Sequence, residues 1–488
     1  MLLKNKMSNL NPSLSVSVEK IGGTSMSQYE AVRDNIILYP QNPYHRIFVV
    51  SAYAGITDDL LEHKKNDKPG VYGLFANDDI NEDWRIALDE LSLKLNKINA
   101  KLFSNVELRQ QANAFIDERI AQTKQLLNHL QDLCHHGHFS LGTHLLTVRE
   151  LLASIGEAHS AWNLTHLLQA KGIHARFIDL TGWQSEEPLA LDEMISQHFE
   201  GVDFSKELPI VTGYTHCQEN LMNTFDRGYS EMTFSRIAVL CHASEAVIHK
   251  EYHLSSADPR LVGEENVVPI GKTNYDIADQ LANLGMEAIH PKAAQGLRQA
   301  QIPLRIKNTF DPAHHGTLFT EDYVSESPQV EIVAGMRNLI ALELFDQEMM
   351  GQQGHYEKIM IDTSQRLKTE VITKDFNANT ITMYLNTSLK KAKRLSEQLQ
   401  QALSTASINT SKVALASAMG SDMRIKGLLA KAVLTLFDQG INVEAIQQNM
   451  RQVEMQFFVN ERDYEKAIKS LHQKLIEVHD HGNAICEH

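Results

Sequence analysis

Short apolar runs alternate with helical segments along residues 16–326, and this alternation is the strongest constraint on the fold. Residues 78–136 contain no glycine or proline, and their content of Leu, Gln, Lys and Glu predicts mostly helix. Strands that alternate with helices pack as a mainly parallel sheet with helices on both faces. The sequence therefore predicts an α/β domain over residues 16–326, after a flexible leader at residues 1–15. The strand-like runs are Ser15–Ile21, Ile47–Val50, Ala175–Leu180, Leu208–Thr212, Ala246–His249 and Leu304–Ile306.

The pattern changes after Ser327 and then repeats itself. Each copy runs strand, helix, two strands and helix, which is the order of a ferredoxin-like module. In the second copy, Leu428, Ala432 and Leu436 mark an apolar helix face, and Gly440 ends that helix. The sequence thus predicts α+β modules at residues 327–405 and 406–488. Because neither module has an obvious catalytic cluster, we expect a role in binding or assembly.

Charge and cysteine content narrow the class of protein. The 488 residues include 46 Lys and Arg against 61 Asp and Glu, for a net charge of −15. This balance disfavours nucleic acid and anionic membranes as partners. No apolar run approaches the ~20 residues of a membrane span, and the leader has no apolar signal core. The four cysteines are far apart, as expected for reduced thiols in a cytoplasmic protein. No second segment with ligand spacing accompanies them, so we predict no protein-ligated metal site.

A lysine and two glycines follow the first predicted strand, in the run Lys20–Ser25. Glycines allow backbone N–H groups to approach phosphate oxygens, and the following helix presents its positive end. Lys20 can place a charge on a transferring phosphoryl group. The lysine precedes the glycines, so this is not a Walker A motif. An ordinary structural turn is an equally simple interpretation of this segment alone.

Other segments carry groups suited to a small acidic substrate. Ser51–Thr57 follows a strand and offers hydroxyls, although a simple turn and helix cap has the same composition. Glu157 lies in a helical run, where it either faces a pocket or is solvated. Arg227 lies in Thr224–Glu231 and can bind a carboxylate bidentately. In Ala257–Arg260, the arginine is available for nucleotide phosphates, unless the segment is only a β-turn.

In their order and spacing, these segments resemble the aspartokinases, and the resemblance spans residues 16–320 and continues through the tail as tandem ACT domains. It implies the amino-acid-kinase fold, a three-layer α/β sandwich. It also implies phosphorylation of aspartate by ATP to 4-phospho-aspartate, with Mg²⁺. The segments similar to family motifs are Lys20–Ser25, Ser51–Thr57, Gly156-Glu157, Arg227–Glu231, Ala257–Arg260, His290-Pro291 and Asn308–Pro312.

The resemblance implies a role for each matched residue. Lys20 stabilises the transferring phosphoryl group, Arg227 grips a substrate carboxylate, and Glu231 orients the catalytic groups. The substrate carboxylate is already ionised, so no strong general base is required, and positioning and charge neutralisation supply the acceleration. Residues implied to contact aspartate are Gly23, Thr24, Ser51, Thr57, Glu157, Arg227, Gly228 and Ser230. Residues implied to contact the nucleotide are Gly22, His249, Lys250, Ser255 and Arg260.

The chain also departs from the family pattern. Tyr229 and Glu231 replace the usual Gly and Asp, and Glu287 falls where the family has a nucleotide-contacting lysine. A carboxylate beside a triphosphate is repulsive unless a cation intervenes, and Lys250, Lys272 and Lys292 are the candidates to supply that charge. The run Gly285–Glu287, together with Ser255-Ser256, resembles a divergent branch associated with ectoine biosynthesis.

Rival interpretations remain open from the sequence. One is a related acyl-phosphate-forming kinase, for example for a glutamate derivative, and another is a catalytically silent amino-acid sensor on a kinase shell. The tail predicts a homodimer or higher homo-oligomer and a possible amino-acid effector, because edge strands of ACT-like modules commonly pair between subunits.

Overall fold

The computed structural model describes residues 15–39, 42–63, 68–77, 83–136, 138–184, 187–225, 228–286 and 288–477. The predicted leader, residues 1–15, lies outside these ranges except for Ser15. The chain forms two compact units, which are described separately. The first comprises Met1–His253 and Ile289–Glu321, and the second comprises Leu254–Ala288 and Asp322–His488.

Strands and helices are numbered along the chain. The strands are β1 Ser17–Ile21, β2 Arg46–Val50, β3 Ala175–Ile178, β4 Leu208–Thr212, β5 Glu245–Lys250, β6 Lys272–Asn274, β7 Leu304–Asn308, β8 Thr317–Thr320, β9 Ile332–Phe345, β10 Glu370–Phe376, β11 Thr380–Asn386, β12 Ser407–Met419, β13 Val443–Gln448 and β14 Glu454–Asn460. The helices are α1 Gly23–Met26, α2 Tyr29–Ala31, α3 Ile56–Leu60, α4 Val71–Ala76, α5 Asp83–Leu102, α6 Val106–Cys134, α7 Leu145–Gln169, α8 Leu191–His198, α9 Leu221–Phe225, α10 Tyr229–Leu240, α11 Pro259–Val262, α12 Tyr275–Asn283, α13 Pro291–Gln299, α14 Gln353–Arg366, α15 Leu389–Ala402, α16 Leu428–Asp438 and α17 Tyr464–Leu475. A π-helical turn at Val32–Ile37 follows α2, and short 3₁₀ turns lie at Leu141–Thr143, Gln347–Met349 and Glu461–Asp463.

The sheet of the first unit has the strand order β3-β4-β2-β1-β5-β7-β8. Its strands pair in parallel except for β8, which is antiparallel to β7. The whole of β2, Arg46–Val50, is buried, as is typical of a parallel strand covered on both faces. This arrangement confirms the predicted α/β class and brings the carboxyl ends of β4, β2, β1 and β5 side by side.

Long helices account for the predicted helical stretch after residue 78. Helices α5 and α6 are joined by a three-residue linker (residues 103–105), and the Asn105 side chain caps α6 by accepting a hydrogen bond from the Leu108 N–H at 3.1 Å. Helix α7 is buried on nearly all sides between Val148 and Leu168. A helix buried all round lies inside its domain, so α7 is well placed to carry side chains into a site.

The second unit is built on one six-stranded sheet with the order β10-β11-β9-β12-β14-β13. All the pairings between neighbours are antiparallel. Each half contributes three strands, and the first strands of the two copies, β9 and β12, pair at the centre. The predicted strand–helix–strand–strand–helix repeat is therefore confirmed, and both copies share one sheet.

Helices cover this sheet through apolar side chains. Met360 and Leu395, from α14 and α15, share a buried cluster with the β9 residue Leu342. In the second copy, Leu436 and Leu471 pack with Phe457. Gly440, the predicted helix stop, has a φ of 68°, which favours glycine.

Residues 254–288 pack within the second unit, although they precede the repeat in the chain. Ile277 and Leu281 of α12 join a buried cluster with Leu415 of β12. The backbone carbonyl of Ser256 accepts a hydrogen bond from Val333 N–H at 2.7 Å, and its Oγ lies 2.9 Å from His472 Nε2. The second unit thus includes a segment that the sequence alone assigns to the α/β domain. None of the described helices is both long and apolar enough to cross a membrane.

Candidate active site

Loops at the carboxyl edge of the first sheet bring several predicted residues together. Strands β4, β2, β1 and β5 end next to one another. Predicted segments follow β1 and β2, Gly213 follows β4, and β5 ends in the predicted residues His249 and Lys250. In open parallel sheets, ligands bind outside the carboxyl ends of the strands. The candidate site of the first unit is therefore this edge.

The glycine-containing turn after β1 packs closely against the loop after β2. A Cβ atom on Gly23 would lie 2.5 Å from the Ala52 carbonyl oxygen, so no side chain fits there. Gly22 donates its N–H to the His249 carbonyl at 3.4 Å. Thr24 is exposed, whereas the buried Ser25 hydroxyl lies 2.9 Å from Thr309 Oγ1. The turn is thus fixed by contacts on both sides while Thr24 faces outward.

Lys20 and Glu231 form an ion pair, with Nζ 3.0 Å from Oε1 and both side chains largely buried. The second carboxylate oxygen of Glu231 accepts a hydrogen bond from the His290 backbone N–H. Burial raises the pKa of Glu231, but the charges of Lys20 and Lys250 and the His290 hydrogen bond outweigh it, so the pKa is lowered overall. Glu231 therefore remains ionised and holds the Lys20 ammonium group in place.

Glu157 lies on α7 and is 2% exposed. Among the described residues, its Oε2 has no hydrogen-bond partner. Burial raises the pKa of Glu157 to about 8, against the opposing effects of Lys20, the Tyr214 N–H and the Tyr229 hydroxyl. A buried carboxyl group with an unsatisfied oxygen is suited to a ligand that brings a cation or a hydrogen-bond donor.

Gly213, directly after β4, lets three elements meet beside Glu157. A Cβ at this position would lie 2.9 Å from Glu157 Oε2, 2.9 Å from the Val50 carbonyl oxygen and 2.7 Å from Ser230 Cβ. Ser230 is buried near the start of α10. Glu157 and Ser230, predicted separately, are therefore close neighbours in the structure.

Gly228 precedes α10 and touches the His290 ring, which would collide with any Cβ there. Arg227, the predicted carboxylate-binding arginine, lies outside the described residues. Its predicted role remains a prediction, although the described Gly228 and Ser230 follow it directly.

A buried polar network anchors the loop that carries Ser51 and Thr57. Ser51 accepts a hydrogen bond on its carbonyl from Ser160 Oγ at 2.8 Å. The Tyr53 hydroxyl accepts from Asn163 Nδ2 at 3.3 Å, and the same amide donates to Asn99 Oδ1 at 2.9 Å.

His159 Nε2 completes this network, 2.6 Å from Asn99 Oδ1. A Cβ on Gly156 would lie 2.8 Å from the Ala52 Cβ, so this glycine allows α7 to approach the loop. Ser51 and Thr57 are half-buried at the site, and the network fixes the backbone between them.

His249 is engaged in a different buried group. Its Nε2 lies 2.7 Å from Glu19 Oε2, and Glu19 binds the Arg46 guanidinium bidentately at 2.6 and 2.9 Å. Successive side chains of a strand point to opposite faces, so Glu19 and its partners lie on the face opposite Lys20. His249 therefore serves an internal ion network, and the nucleotide contact implied for it stays a prediction.

Lys250, the last residue of β5, contributes its positive charge to the surroundings of Glu231. It is half-buried, and its carbonyl accepts a hydrogen bond from Thr309 N–H at 2.8 Å. Two cations, Lys20 and Lys250, thus lie near one carboxylate, which leaves this edge suited to an anionic group.

The other residues implied for the nucleotide lie in the second unit. Ser255 forms an isolated antiparallel bridge with Pro269. Arg260 is exposed, and its guanidinium binds Asp258 through two bonds of 3.1 and 3.0 Å. Asp258 also caps α11 by accepting the Arg260 N–H at 2.9 Å. Glu287 lies outside the described residues.

Several contributors were not predicted from the sequence. Gly213 and Tyr214 follow a predicted strand, so the rule that sites lie at the carboxyl ends of strands was the signal available for them. Asn99, His159 and Asn163 carried no recognisable spacing, because their contact depends on how α5 and α7 pack.

Comparisons with known proteins fit this geometry. The family model of the amino acid kinase family matches residues 15–308, and an ACT domain model matches residues 417–475. Aspartate kinase Ask_Ect of Stutzerimonas stutzeri (strain A1501) is 52% identical over 472 residues, covering 96% of this chain and 99% of that protein. The aspartokinase of Candida albicans is 25% identical over 509 residues, covering 94% and 90%.

Solved structures show the same fold. The structure of E. coli aspartokinase III in complex with aspartate and ADP, in the R-state, has a TM-score of 0.70 at 20% identity. It covers 94% of this chain and 99% of the E. coli chain. The T-state complex of that enzyme with lysine and aspartate also has a TM-score of 0.70, at 19% identity and with the same coverage.

The fold, the site and these matches show that the chain belongs to the amino acid kinase family. Within that family it is one of the aspartate kinases that carry C-terminal ACT domains, with 52% identity to Ask_Ect over nearly its full length. The resemblance drawn from the sequence motifs is thereby confirmed.

Proposed function

We propose that the site at the carboxyl edge of the first sheet transfers the γ-phosphoryl group of ATP to the side-chain carboxylate of L-aspartate. The observation that carries this assignment is the buried Lys20–Glu231 ion pair at 3.0 Å, which belongs to the same site as the buried carboxyl group of Glu157. The 52% identity to an aspartate kinase supports the same reaction.

In this reaction, a carboxylate oxygen of aspartate forms a bond to the γ-phosphorus as the bond to the bridging oxygen breaks. The products are 4-phospho-L-aspartate and ADP. Lys20 neutralises charge on the transferring group, and Glu231 keeps Lys20 oriented. Because the substrate carboxylate is an ionised nucleophile, proton abstraction is not needed.

Glu157 is proposed to bind the α-ammonium group of aspartate. A cation at the unsatisfied Oε2 compensates the burial that raises the pKa of this carboxyl group. Ser230 and Thr57 supply hydroxyls, and Arg227 supplies a bidentate partner for a substrate carboxylate. Gly23, Thr24, Ser51 and Gly228 form the surrounding turns.

On the nucleotide side, ATP is proposed to approach Gly22 and Lys250 in the first unit. His249, Ser255 and Arg260 remain the other proposed contacts. Mg²⁺ is proposed to arrive with the phosphates, since this ion is usually held by substrate phosphates, waters and one or two carboxylates. The described residues contain no group of three or more His, Cys, Asp or Glu that could hold a metal by itself. An ion held mainly by the nucleotide requires no such group.

The test is aspartate-dependent release of ADP by the full chain, with glutamate as the control substrate. Turnover with aspartate and not glutamate is expected. Turnover with glutamate would support the related acyl-phosphate kinase, and no turnover with either would support the silent sensor. An Arg227→Lys variant should raise KM for aspartate strongly and KM for ATP much less, because it keeps the charge and loses the planar fork.

We further propose that the six-stranded sheet of the second unit assembles subunits and binds an amino-acid effector. Its edge strand β13 alternates half-buried and exposed residues, and Ile446 on it is 40% exposed. Lysine, threonine and both together should be tested on the full chain for changes in activity and Tm. No response to either would exclude them as effectors. The ectoine branch remains the proposed pathway, supported by the match to Ask_Ect.

A further inference from the structure

A cavity of about 570 Å³ opens in the first unit, beside the candidate active site. Helices α6 and α7 form two of its walls, and the segments after β3 and β4 form the others. Its volume is within the range of about 300–1,000 Å³ that is typical of small-molecule sites. Its apolar lining includes Leu126, Leu130, Leu133, Val148, Leu151 and Trp183.

One polar atom of the lining lacks a partner. Thr123 is fully buried, and among the described residues its Oγ1 makes no hydrogen bond. A helical threonine commonly bonds the carbonyl one turn earlier, but Thr123 does not. A buried hydroxyl without a partner costs free energy, which a bound group with a donor or acceptor would recover.

Two other polar side chains of the wall, Gln122 and Glu150, already have partners. Gln122 Oε1 accepts from Trp183 Nε1 at 2.9 Å. Glu150 accepts from the Tyr214 hydroxyl at 2.5 Å and from the Met222 N–H at 2.8 Å. No lysine or arginine occurs among the described lining residues. The described lining therefore offers no strong counter-ion to an anionic ligand, and the Glu150 carboxylate is already engaged by Tyr214 and Met222.

Tyr214 separates the cavity from the proposed aspartate site. Its ring lines the cavity and packs edge-on against Tyr229, with centroids 5.7 Å apart. Its neighbour Gly213 is in close contact with Glu157 and Ser230. A ligand that displaces the Tyr214 ring therefore acts on residues beside Glu157.

We propose that this cavity binds a neutral small molecule with an aromatic or branched hydrocarbon body and one hydrogen-bonding group. That group pairs with Thr123 Oγ1, and occupancy changes aspartate binding through Tyr214. Binding of the small molecule does not depend on the proposed function, whereas its effect on aspartate binding rests on that function.

The test measures binding of the uncharged fluorescent probe N-phenyl-1-naphthylamine to the full chain. Saturable binding of one probe per chain is expected, with loss of binding in Leu130→Trp, which fills the cavity. Leu93→Trp is the matched control, because Leu93 is exposed on α5 outside the cavity lining. Probe binding that is not saturable, or that survives Leu130→Trp, would overturn the proposal.

Thr123→Val tests the hydroxyl with little change of shape. Displacement of the probe by 1-naphthol should weaken about fivefold in this variant, while displacement by naphthalene should not change. Equal effects on both competitors would remove Thr123 from recognition. This variant also keeps the test decisive if Leu130→Trp fails to fold.

Activity separates this inference from the proposed function. With 1-naphthol bound, KM for aspartate should change at least twofold in the parent and not in Leu130→Trp. If the chain binds the probe but shows no aspartate-dependent ADP release, the proposed function fails and the site remains. If the kinase is active and no probe binds, the inference alone fails. Probe binding seen only after dilution to dissociated chains would mean that another copy covers the cavity, and would also overturn it.

Discussion

Glu231 and Glu157 are glutamates with largely buried side chains at the same sheet edge, yet their pKa values shift in opposite directions. Glu231 has Lys20 at 3.0 Å, Lys250 nearby and a backbone N–H, and its pKa is lowered. Glu157 has only part of this compensation, and burial raises its pKa to about 8. At Glu231 the close cations outweigh the effect of burial, whereas at Glu157 burial prevails.

The largest expected effect comes from removing Lys20, the cation paired with Glu231. Lys20→Ala should lower kcat by at least ~100-fold, the scale of losing one contact that stabilises charge in a transition state. The pKa of Glu231 should also rise, since Lys20 is one of the groups that lower it.

ADP release with aspartate measures this change, and thermal unfolding checks the fold. Lys94→Ala is the matched control, because Lys94 pairs with Asp59 at 2.5 Å and is nearly half exposed. The control should keep its kcat. A kcat for Lys20→Ala within a few-fold of the parent would remove Lys20 from the chemistry.

The raised pKa of Glu157 predicts that the stability of the folded chain depends on pH. The pKa of a glutamate in an unfolded chain is about 4.3, whereas burial raises the pKa of Glu157 in the folded chain to about 8. Between these values the folded chain holds a proton that the unfolded chain has released. The stability from Glu157 is therefore present at low pH and is lost as pH rises through about 8.

Glu157→Gln should flatten this trend, because glutamine is neutral at every pH in the window. Urea midpoints of the substrate-free chain at pH 5.5, 6.5 and 7.5 measure it, with exposed Asp89→Asn as the control. Each unit of pKa difference corresponds to about 1.4 kcal/mol. Parallel pH profiles for the parent and Glu157→Gln would show that Glu157 is ionised in the folded protein.

Sequence motifs predicted Lys20, Glu231, Glu157 and Ser230 as site residues, and the structure brings these together. Their direct contacts were not predictable, because Lys20 and Glu231 are 211 positions apart in the chain. The sequence also gave no reason to link Glu19 with Arg46. Glu19 binds both Arg46 and the His249 ring, so this pair engages His249 inside the unit.

The alternating and repeated patterns predicted the fold class and the two copies of the tail module. They did not predict that residues 254–288 pack with the tail module. The linear order places this segment before the repeat, and only the apolar contacts of residues such as Ile277 and Leu281 show where it packs.

A smaller effect is expected from the network that holds the Ser51–Thr57 loop. Asn163→Ala removes the donors to Tyr53 and Asn99 and leaves buried groups unsatisfied. The free energy of unfolding should fall by about 1–3 kcal/mol. KM for aspartate should rise several-fold with a smaller change in kcat, because the loop positions substrate without touching the reacting atoms. A loss of stability with unchanged KM would make the network purely structural.

The smallest effect on stability is expected at Arg260, one of the residues proposed to contact the nucleotide. Its guanidinium is 88% exposed and forms an ion pair with Asp258, a neighbour two residues away. Exposed pairs of this kind contribute about 0–1 kcal/mol, so Arg260→Ala should barely change the urea midpoint. If Arg260 contacts nucleotide phosphates, KM for ATP should rise while KM for aspartate stays constant. Arg298→Ala, on α13, is the matched control for loss of one arginine. An unchanged KM for ATP would remove Arg260 from the nucleotide side and leave the phosphates to Lys20 and Lys250, whose charges already converge on Glu231.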